Sequence, residues 1–515
     1  MTLDSAKVNA VRQRYTAAGQ GHVFAFWHEL TQQEQEQFLL QLESLDPAGL
    51  NSVYAQAIAA SKNSSIFNDL APLDKAEVKS TLTATQQEKD RWYSLGLQAI
   101  ADNQVAVVLL AGGQGTRLGS LLPKGCYRNL GLPSHKTLFQ LQAERIQKLQ
   151  DLARIHKAKT THQSLESVPS VVIPWCIMTS GPTRHHTEDF LKEHNYFGLS
   201  VDNIIIFEQG VIPCFDQQGK FLLNHKNMIA TSPNGNGGLY WAMHKEGVLD
   251  ELQRRGIRYA HSYSVDNILI KVGDPMAIGH ALQEGADVTV KVMPKTMATE
   301  PLGVICRLAG KIKVVEYSEM DPNLSALVDP HTGEFVYRAG NICNQICSLK
   351  FLQKVPEVLK DKNQDLLIYH LASKKIPYVD LKTGHRISPD QPNGVKLELF
   401  VFDVYPLAER FACLEVERSR EFSPMKNASG LDSPQTSRRD LERLHIRWIE
   451  EAGGHVQGED ADHLSKANGS TEPTRIGFEI SPLMSYSGEG LEWIKGKTIH
   501  TGVIESQEDV QFVRK

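Results

Sequence analysis

Residues 105–125 read VAVVLLAGGQGTRLGSLLPKG, and this stretch decides the fold. It opens with seven apolar residues, Val105 to Ala111, and is cut off by Gly112 and Gly113. A run that short, rich in Val and closed by glycines, predicts a fully buried strand rather than a helix. The glycines let the backbone turn sharply and come close to a ligand. Arg117 and Lys124 place two cations beside a loop rich in backbone N–H donors, a combination that suits a polyphosphate. Two familiar glycine motifs do not fit. GxGxxG fails because Leu118 stands where the third glycine should follow Gly113 and Gly115. A Walker loop needs Gly-Lys followed by Ser or Thr, and the lysine of this stretch lies in Pro123-Lys124-Gly125.

Working outward, 515 residues exceed what one hydrophobic core usually supports, so two or three domains are expected. Apolar residues make up 41% of the chain, enough for full globular burial. Lysine and arginine number 55 against 60 acidic residues, a net charge of −5. Nothing global attracts nucleic acid or an acidic membrane, so any phosphate site must be local. The seven cysteines are scattered, without a CxxC, which fits buried thiols in a reducing compartment. Met1 to Ala10 has no apolar signal core, and no stretch approaches the roughly 20 apolar residues of a membrane span. A soluble, cytoplasmic protein is expected.

Residues 1–100 read as a helical N-terminal domain. Val23, Phe24, Phe26, Trp27 and Leu30 form one apolar face. Thr31 and Glu34 make a capping box, and Asp46-Pro47 marks a second helix start. Ser61 to Lys89 reads as connection. From Trp92 to about Tyr405, apolar runs (105–111, 171–178, 204–207, 260–264, 268–271, 288–292) alternate with helical segments (138–155, 187–194, 276–284). That alternation predicts βαβ units and a mostly parallel sheet, over a central domain of residues 101–405. Ligands of such sheets bind beyond the carboxyl ends of strands, where the loop at Gly112 lies. Lys157 to Pro169 reads as a surface loop. Residues 406–515 form a smaller C-terminal domain, with a charged helix over 438–451, a polar linker over 453–473 and strands at 476–480 and 495–503.

Several other residues bear chemistry. Residues 231–238 form a second glycine-dense turn, in which the Asn236 amide can both donate and accept. As an ordinary loop it would need no ligand. Asp266 interrupts an apolar pattern at a strand end, and Asp is a hard oxygen ligand for Mg²⁺, although an isolated Asp is more often a turn residue. Phe400 and Phe402 alternate on one strand face as core residues do. Lys426 follows a proline in a polar loop and reads as solvated.

Together these segments resemble the eukaryotic UDP-N-acetylglucosamine pyrophosphorylases. The likeness rests on LAGGQGTRLG (110–119), Pro123-Lys124-Gly125 and GLPS (131–134). It continues in order through FEQG (207–210), NGNGGLY (234–240), SVDNIL (264–269), EPLGVIC (300–306), VVEYSE (314–319) and AGN (339–341). NGVKLELFVFD (393–403), EFSPMKN (421–427), and the terminal GHVFAFWHEL and EISPLMSYSGEG are similar too. The resemblance spans about residues 12–505. It implies an α/β, Rossmann-like nucleotidyltransferase (GT-A-like) with a mixed sheet flanked by helices. It also implies that UTP and N-acetylglucosamine 1-phosphate give UDP-N-acetylglucosamine and pyrophosphate with Mg²⁺, N-acetylgalactosamine 1-phosphate often serving as a second substrate. By the same resemblance, Leu110, Ala111, Gly112 and Gly113 would hold the uridine, with Gln209, Gly235 and Asn236 on the uracil edge. Arg117 and Lys124 would cradle the β- and γ-phosphates, Asp266 would bind the metal, and Lys426 would reach the sugar-side phosphate. Gly303, Glu316 and Asn341 would bond the sugar, with Tyr317, Phe400 and Phe402 around the N-acetyl group. A monomer or weak homodimer is expected, with neither nucleic acid nor membrane as partner.

The sequence departs from the family pattern after Lys124. Arg128-Asn129-Leu130 precedes Gly131 where the family has two residues, so one basic residue is extra. It could shift the phosphate loop or add a surface cation. Glu208 stands where many relatives have Gln. Three rival readings differ in chemistry. The nearest is a pyrophosphorylase acting on UDP-glucose or on several UDP-sugars, and Phe400 with Phe402 argues against a plain glucose enzyme. A non-catalytic UDP-sugar sensor would not need Arg117, Lys124, Asp266 and Lys426. A dinucleotide-dependent dehydrogenase is disfavoured by the broken GxGxxG fingerprint.

Overall fold

A computed structural model describes residues 4–62, 69–74, 76–360, 369–457, 477–499 and 502–509. The chain divides into two compact units. The first gathers Met1–Leu70, Gln209–Ala242 and Glu357–Val404. The second gathers Ala71–Glu208, Met243–Pro356 and Tyr405–Lys515. This grouping differs from three successive domains at 1–100, 101–405 and 406–515, and packing explains why. Helix Gln86–Ala101 crosses helix Pro275–Glu284 at two glycines: a Cβ on Gly96 would land on the Pro275 backbone, and one on Gly279 on the Trp92 backbone. The C-terminal residues Phe478, Ile480, Ile499 and Ile504 share a core with Leu130, Leu132, Leu138 and Leu141.

The second unit is built on a mixed sheet. In chain order its strands are β1 (Val78–Ser80), β2 (Val105–Leu110), β3 (Trp175–Thr179), β4 (Ile204–Glu208) and β5 (Tyr259–Ser264). They continue as β6 (Val288–Pro294), β7 (Val304–Leu308), β8 (Lys311–Val315), β9 (Ala339–Ser348) and β10 (Phe411–Glu415). Across the sheet the order is β1-β10-β6-β9-β5-β2-β3-β4, with β7 and β8 as a hairpin beside β9. Most neighbours are parallel, and β9 runs antiparallel to both β5 and β6. β2 is buried at every residue, as its unbroken apolar run predicts.

Other expectations are corrected in detail. Residues 157–161 continue helix Leu138–Thr161, which ends only where His162 turns left-handed. The stretch read as connection at 61–89 supplies β1 and, through a Thr85–Glu88 capping box, the start of helix Gln86–Ala101. Residues 63–68 and 75 lie outside the described residues. β3 begins at Trp175, later than residue 171, because Pro174 just before it lacks an N–H for the ladder. Residues 268–271 form turns, with Ile268 N–H donating to Ser423 O and Ile270 N–H to Asn267 O. Of the linker read at 453–473, residues 458–473 lie outside the described residues, while His455–Val456 pairs with Thr498–Ile499. The terminal strand read at 495–503 is observed as Thr498–Ile499 and Gly502–Ile504; 500–501 are not described.

The first unit packs helices Ser5–Ala17, Gln32–Ser44 and Pro47–Lys62 with small antiparallel sheets. Thr31 and Glu34 form the expected capping box. Residues 21–30 form two short 3₁₀ turns that bury Val23, Phe24 and Trp27 among Phe38, Leu42, Phe215 and Phe221. Strand Gly394–Glu398 lies between His370–Lys374 and Phe215–Asp216. It stops before Phe400, so Phe400 and Phe402 occupy a turn rather than a strand face. Leu399 N–H is used by Asn234 O (2.8 Å), and Phe400 N–H by the Asp403 carboxylate (2.7 Å).

Candidate active site

In the second unit, β2 ends at Leu110, paired with Ser264 of β5 and Met178 of β3. Beyond it Ala111 N–H donates to Met178 O at 2.8 Å, and Ser180 Oγ donates to Gly112 O at 2.7 Å. The chain then folds back on itself. Gly115 N–H bonds Leu122 O at 3.0 Å, and Lys124 N–H reaches Gly113 O at 3.3 Å. This return brings Pro123-Lys124-Gly125 beside the glycines. A Cβ on Gly125 would overlap the Phe139 ring, so only glycine allows the turn to lie there. Gly113 is exposed, with open space where a side chain would stand. That leaves a bare backbone face for a ligand to approach.

The cations and the carboxylate meet at this loop. Lys124 Nζ lies 3.5 Å from Asp266 Oδ2 and donates to Met425 O at 3.3 Å. Asp266 follows the end of β5, and its carbonyl accepts from Met425 N–H at 2.9 Å. Asn267 ties the two segments together. Its Oδ1 accepts from Ser423 N–H at 2.9 Å, and its Nδ2 donates to Glu421 O at 2.7 Å. The segment 421–427 thus forms a strap beside Asp266 that carries Lys426, whose Nζ lies 3.6 Å from Asp432. Arg117 sits on the exposed turn Thr116–Leu118 with no ion pair among the described residues. Arg128 stays on the surface: its Nη2 donates to His194 Nε2 at 2.9 Å, with the guanidinium over Phe190. The Lys124–Gly113 closure forms with Arg128 in that position.

Glu316, Asn341 and Gly303 converge close by. Asn341 N–H donates to Gly303 O at 2.8 Å. A Cβ on Gly303 would stand 2.8 Å from Glu316 Oε1, so the glycine leaves room for that carboxylate. Cys343 marks the centre. Burial pushes its thiol up to about 11, Asp266 and Glu316 push the same way, and Ser264 and Lys426 oppose them. Tyr317 is mostly exposed. Among the described residues no group of three or more His, Cys, Asp or Glu could hold a metal. The donor set at Asp266 is one carboxylate, which fits an ion whose remaining ligands come from substrate phosphates.

The first unit carries the remaining residues. Gly235 has φ +90°, a backbone conformation that suits glycine, and Asn236 Oδ1 accepts from Val401 N–H at 3.0 Å. Gln209 is buried, and its Oε1 has no hydrogen-bond partner among the described residues. The Phe400 ring lies tilted against Phe402 at 5.0 Å and against His370 at 4.5 Å, centroid to centroid. His370 Nε2 lies 3.1 Å from Asp403, which also holds the Phe400 N–H. Sequence reasoning gave no role to Asn267, His370 or Asp403. The first and last stood inside quoted motifs, whereas a lone His370 gives no signal.

The model of UTP–glucose-1-phosphate uridylyltransferases matches residues 49–445. The chain is 42% identical to "UDP-N-acetylhexosamine pyrophosphorylase-like protein 1" of Xenopus tropicalis, over 96% of each chain. It is 39% identical to the UDP-N-acetylglucosamine pyrophosphorylase of Saccharomyces cerevisiae, over 96% of this chain and 98% of that one. Its structure matches the inhibitor-bound uridine diphosphate N-acetylglucosamine pyrophosphorylase of Trypanosoma brucei with TM-score 0.77 and 30% identity, over 95% of each chain. The chain belongs to the UDP-N-acetylhexosamine pyrophosphorylase family, within the wider UTP–glucose-1-phosphate uridylyltransferases.

Proposed function

We propose that this protein transfers the uridylyl group of UTP to N-acetylglucosamine 1-phosphate, releasing pyrophosphate, and that it also accepts N-acetylgalactosamine 1-phosphate. The observation that carries this reading is the meeting of Lys124, Asp266 and the Lys426 strap at an open glycine face. The sugar phosphate oxygen is already an anion and needs no base. It attacks the α-phosphorus in line, a new P–O bond forms, and the bond to the β-phosphate oxygen breaks. The protein's part is to position the reactants and offset repelling charge.

Lys124 and Arg117 would hold the β- and γ-phosphates and stabilise the leaving pyrophosphate. Lys426 would hold the sugar phosphate. Leu110 to Gly113 would pack on the uridine, and Gly235, Asn236 and Gln209 would take the uracil edge. The unpartnered Gln209 Oε1 supports that last role, because a buried acceptor without a donor is costly until a ligand N–H meets it. Gly303, Glu316 and Asn341 would bond the sugar, with Tyr317, Phe400 and Phe402 around its acetyl group. Asp266 would hold Mg²⁺, which when bound offsets phosphate charge. The free cysteines fit a reducing cytoplasm. We take the working form to be a monomer or weak homodimer.

Pyrophosphate release from UTP and Mg²⁺, with N-acetylglucosamine 1-phosphate, N-acetylgalactosamine 1-phosphate and glucose 1-phosphate side by side, tests the reading. Release with the two N-acetylated sugars and little with glucose 1-phosphate is expected. Equal release with all three would overturn the acetyl pocket. No release with any would overturn the activity.

A further inference from the structure

A cavity of about 440 Å³ opens in the second unit where β6 and β10 begin. These strands run parallel to each other and in the same direction as β2, since β6 and β5 both oppose β9. The glycine loop follows the carboxyl end of β2, so the cavity lies at the other end of the sheet, about 20 Å away by strand length.

Beneath the cavity lies His280, from helix Pro275–Glu284. Its side chain is fully buried, and neither Nδ1 nor Nε2 has a hydrogen-bond partner among the described residues. Trp92 meets the ring edge to face at 5.2 Å. Burial pushes the imidazole down to about 4, so near pH 7 it is neutral and offers one donor and one acceptor. Leaving such groups unpaired is costly, and a ligand that met them would recover the cost.

The rim is cationic. Lys79, Lys311 and Arg410 line it, and none makes an ion pair among the described residues. Arg307 is taken by Glu77, and Glu409 by Lys354 at 2.9 Å. Glu284 is the one lining acid without an ion pair among the described residues. The walls include Ile312, Pro406 and Phe411, more apolar surface than a bare inorganic anion would use.

We propose that this cavity is a second, non-catalytic binding site for a phosphomonoester bearing an apolar or aromatic group. The phosphate would sit among Lys79, Lys311 and Arg410, and its organic part against Phe411 and Ile312, above His280.

Phenyl phosphate and inorganic phosphate are titrated into the full chain by calorimetry. Wild type, Lys124→Ala and the surface double variant Lys311→Ala/Arg410→Ala are compared. Phenyl phosphate is expected to bind about tenfold tighter than inorganic phosphate, equivalent to about 1.4 kcal/mol. That binding should survive Lys124→Ala, which removes a catalytic phosphate contact, and weaken about tenfold or more in the double variant. Turnover of the double variant should match the parent. Absence of binding, binding indifferent to the double variant, loss in Lys124→Ala, or equal affinity for the two anions would each overturn the proposal. The outcome is independent of which sugar phosphate the catalytic site uses.

Discussion

Lys124 Nζ and Asp266 Oδ2 stand 3.5 Å apart, with their side chains 17% and 19% exposed. The pair joins the glycine loop to the end of β5, and each charge holds the other in place. In the proposed reaction it would set a cation where the leaving pyrophosphate needs one. Lys124→Ala is therefore expected to lower turnover by about 10²-fold or more at saturating UTP, the loss typical of one electrostatic donor. Turnover within a few-fold of the parent would remove Lys124 from the catalytic machinery.

Asn267 acts through its neighbours. It spends one side-chain atom on Ser423 N–H and the other on Glu421 O, and so fixes the strap that carries Lys426. Nearby, the fully buried Lys291 pairs with Glu421 at 2.8 Å and with Asp274, anchoring the start of the same strap. Asn267→Ala leaves buried backbone groups unpaired, at a cost of about 2 kcal/mol in stability. Displacement of Lys426 should reduce kcat by about tenfold or more while the KM for UTP changes little. An unchanged kcat in a folded variant would show that the strap holds its place without Asn267.

Gly303 gives a test on the sugar side. A Cβ there would stand 2.8 Å from Glu316 Oε1 and 2.9 Å from Val314 Cγ1. Gly303→Ala must push the Glu316 carboxylate aside. The KM for N-acetylglucosamine 1-phosphate should rise by about tenfold, with the KM for UTP near the parent value. A rise in both, or in neither, would separate Glu316 from sugar binding.

The legible part of this protein is where one local signal decides the structure. The apolar run Val105 to Ala111, closed by glycines, reads as a buried strand, observed over Val105–Leu110, and the glycines after it read as a turn that lets the backbone come close to a ligand. The β9 strand was hidden because Asn341, Asn344 and Gln345 break its apolar pattern, and because its ladder with β6 slips between Val290 and Val292. Phe400 and Phe402 carry the two-residue period of a strand, but a turn closed between Phe400 and Asp403 overrides it. The site itself was legible only as separate motifs. That Lys124 meets both Asp266 and the Met425 carbonyl depends on long-range packing that spacing cannot encode. The grouping into two units escaped for the same reason. Gly96 and Gly279 look unremarkable in helical patterns until two helix backbones press against them.

A last prediction concerns stability against pH and rests on Glu442, inside helix Pro434–Glu451. Burial raises its carboxyl from 4.5 to about 7; Arg438 and a Gly477 N–H oppose the rise and Glu479 adds to it. Below pH 4.5 the folded and unfolded chains both carry the proton, and the group is neutral to stability. Between pH 4.5 and 7 the unfolded chain ionises while the folded chain keeps its proton, so stability falls as pH rises. Above about pH 7 the folded chain holds a buried carboxylate and the loss is complete. Glu479 is raised by burial as well and tilts the profile the same way in parent and variant. Glu442→Gln keeps the shape and removes the titration. The variant should melt with the parent near pH 4.5 and about 2–4 °C above it at pH 8, the gain growing through the interval between. A melting difference that stays constant from pH 4.5 to 8 would assign the effect to packing and leave Glu442 out of the pH response.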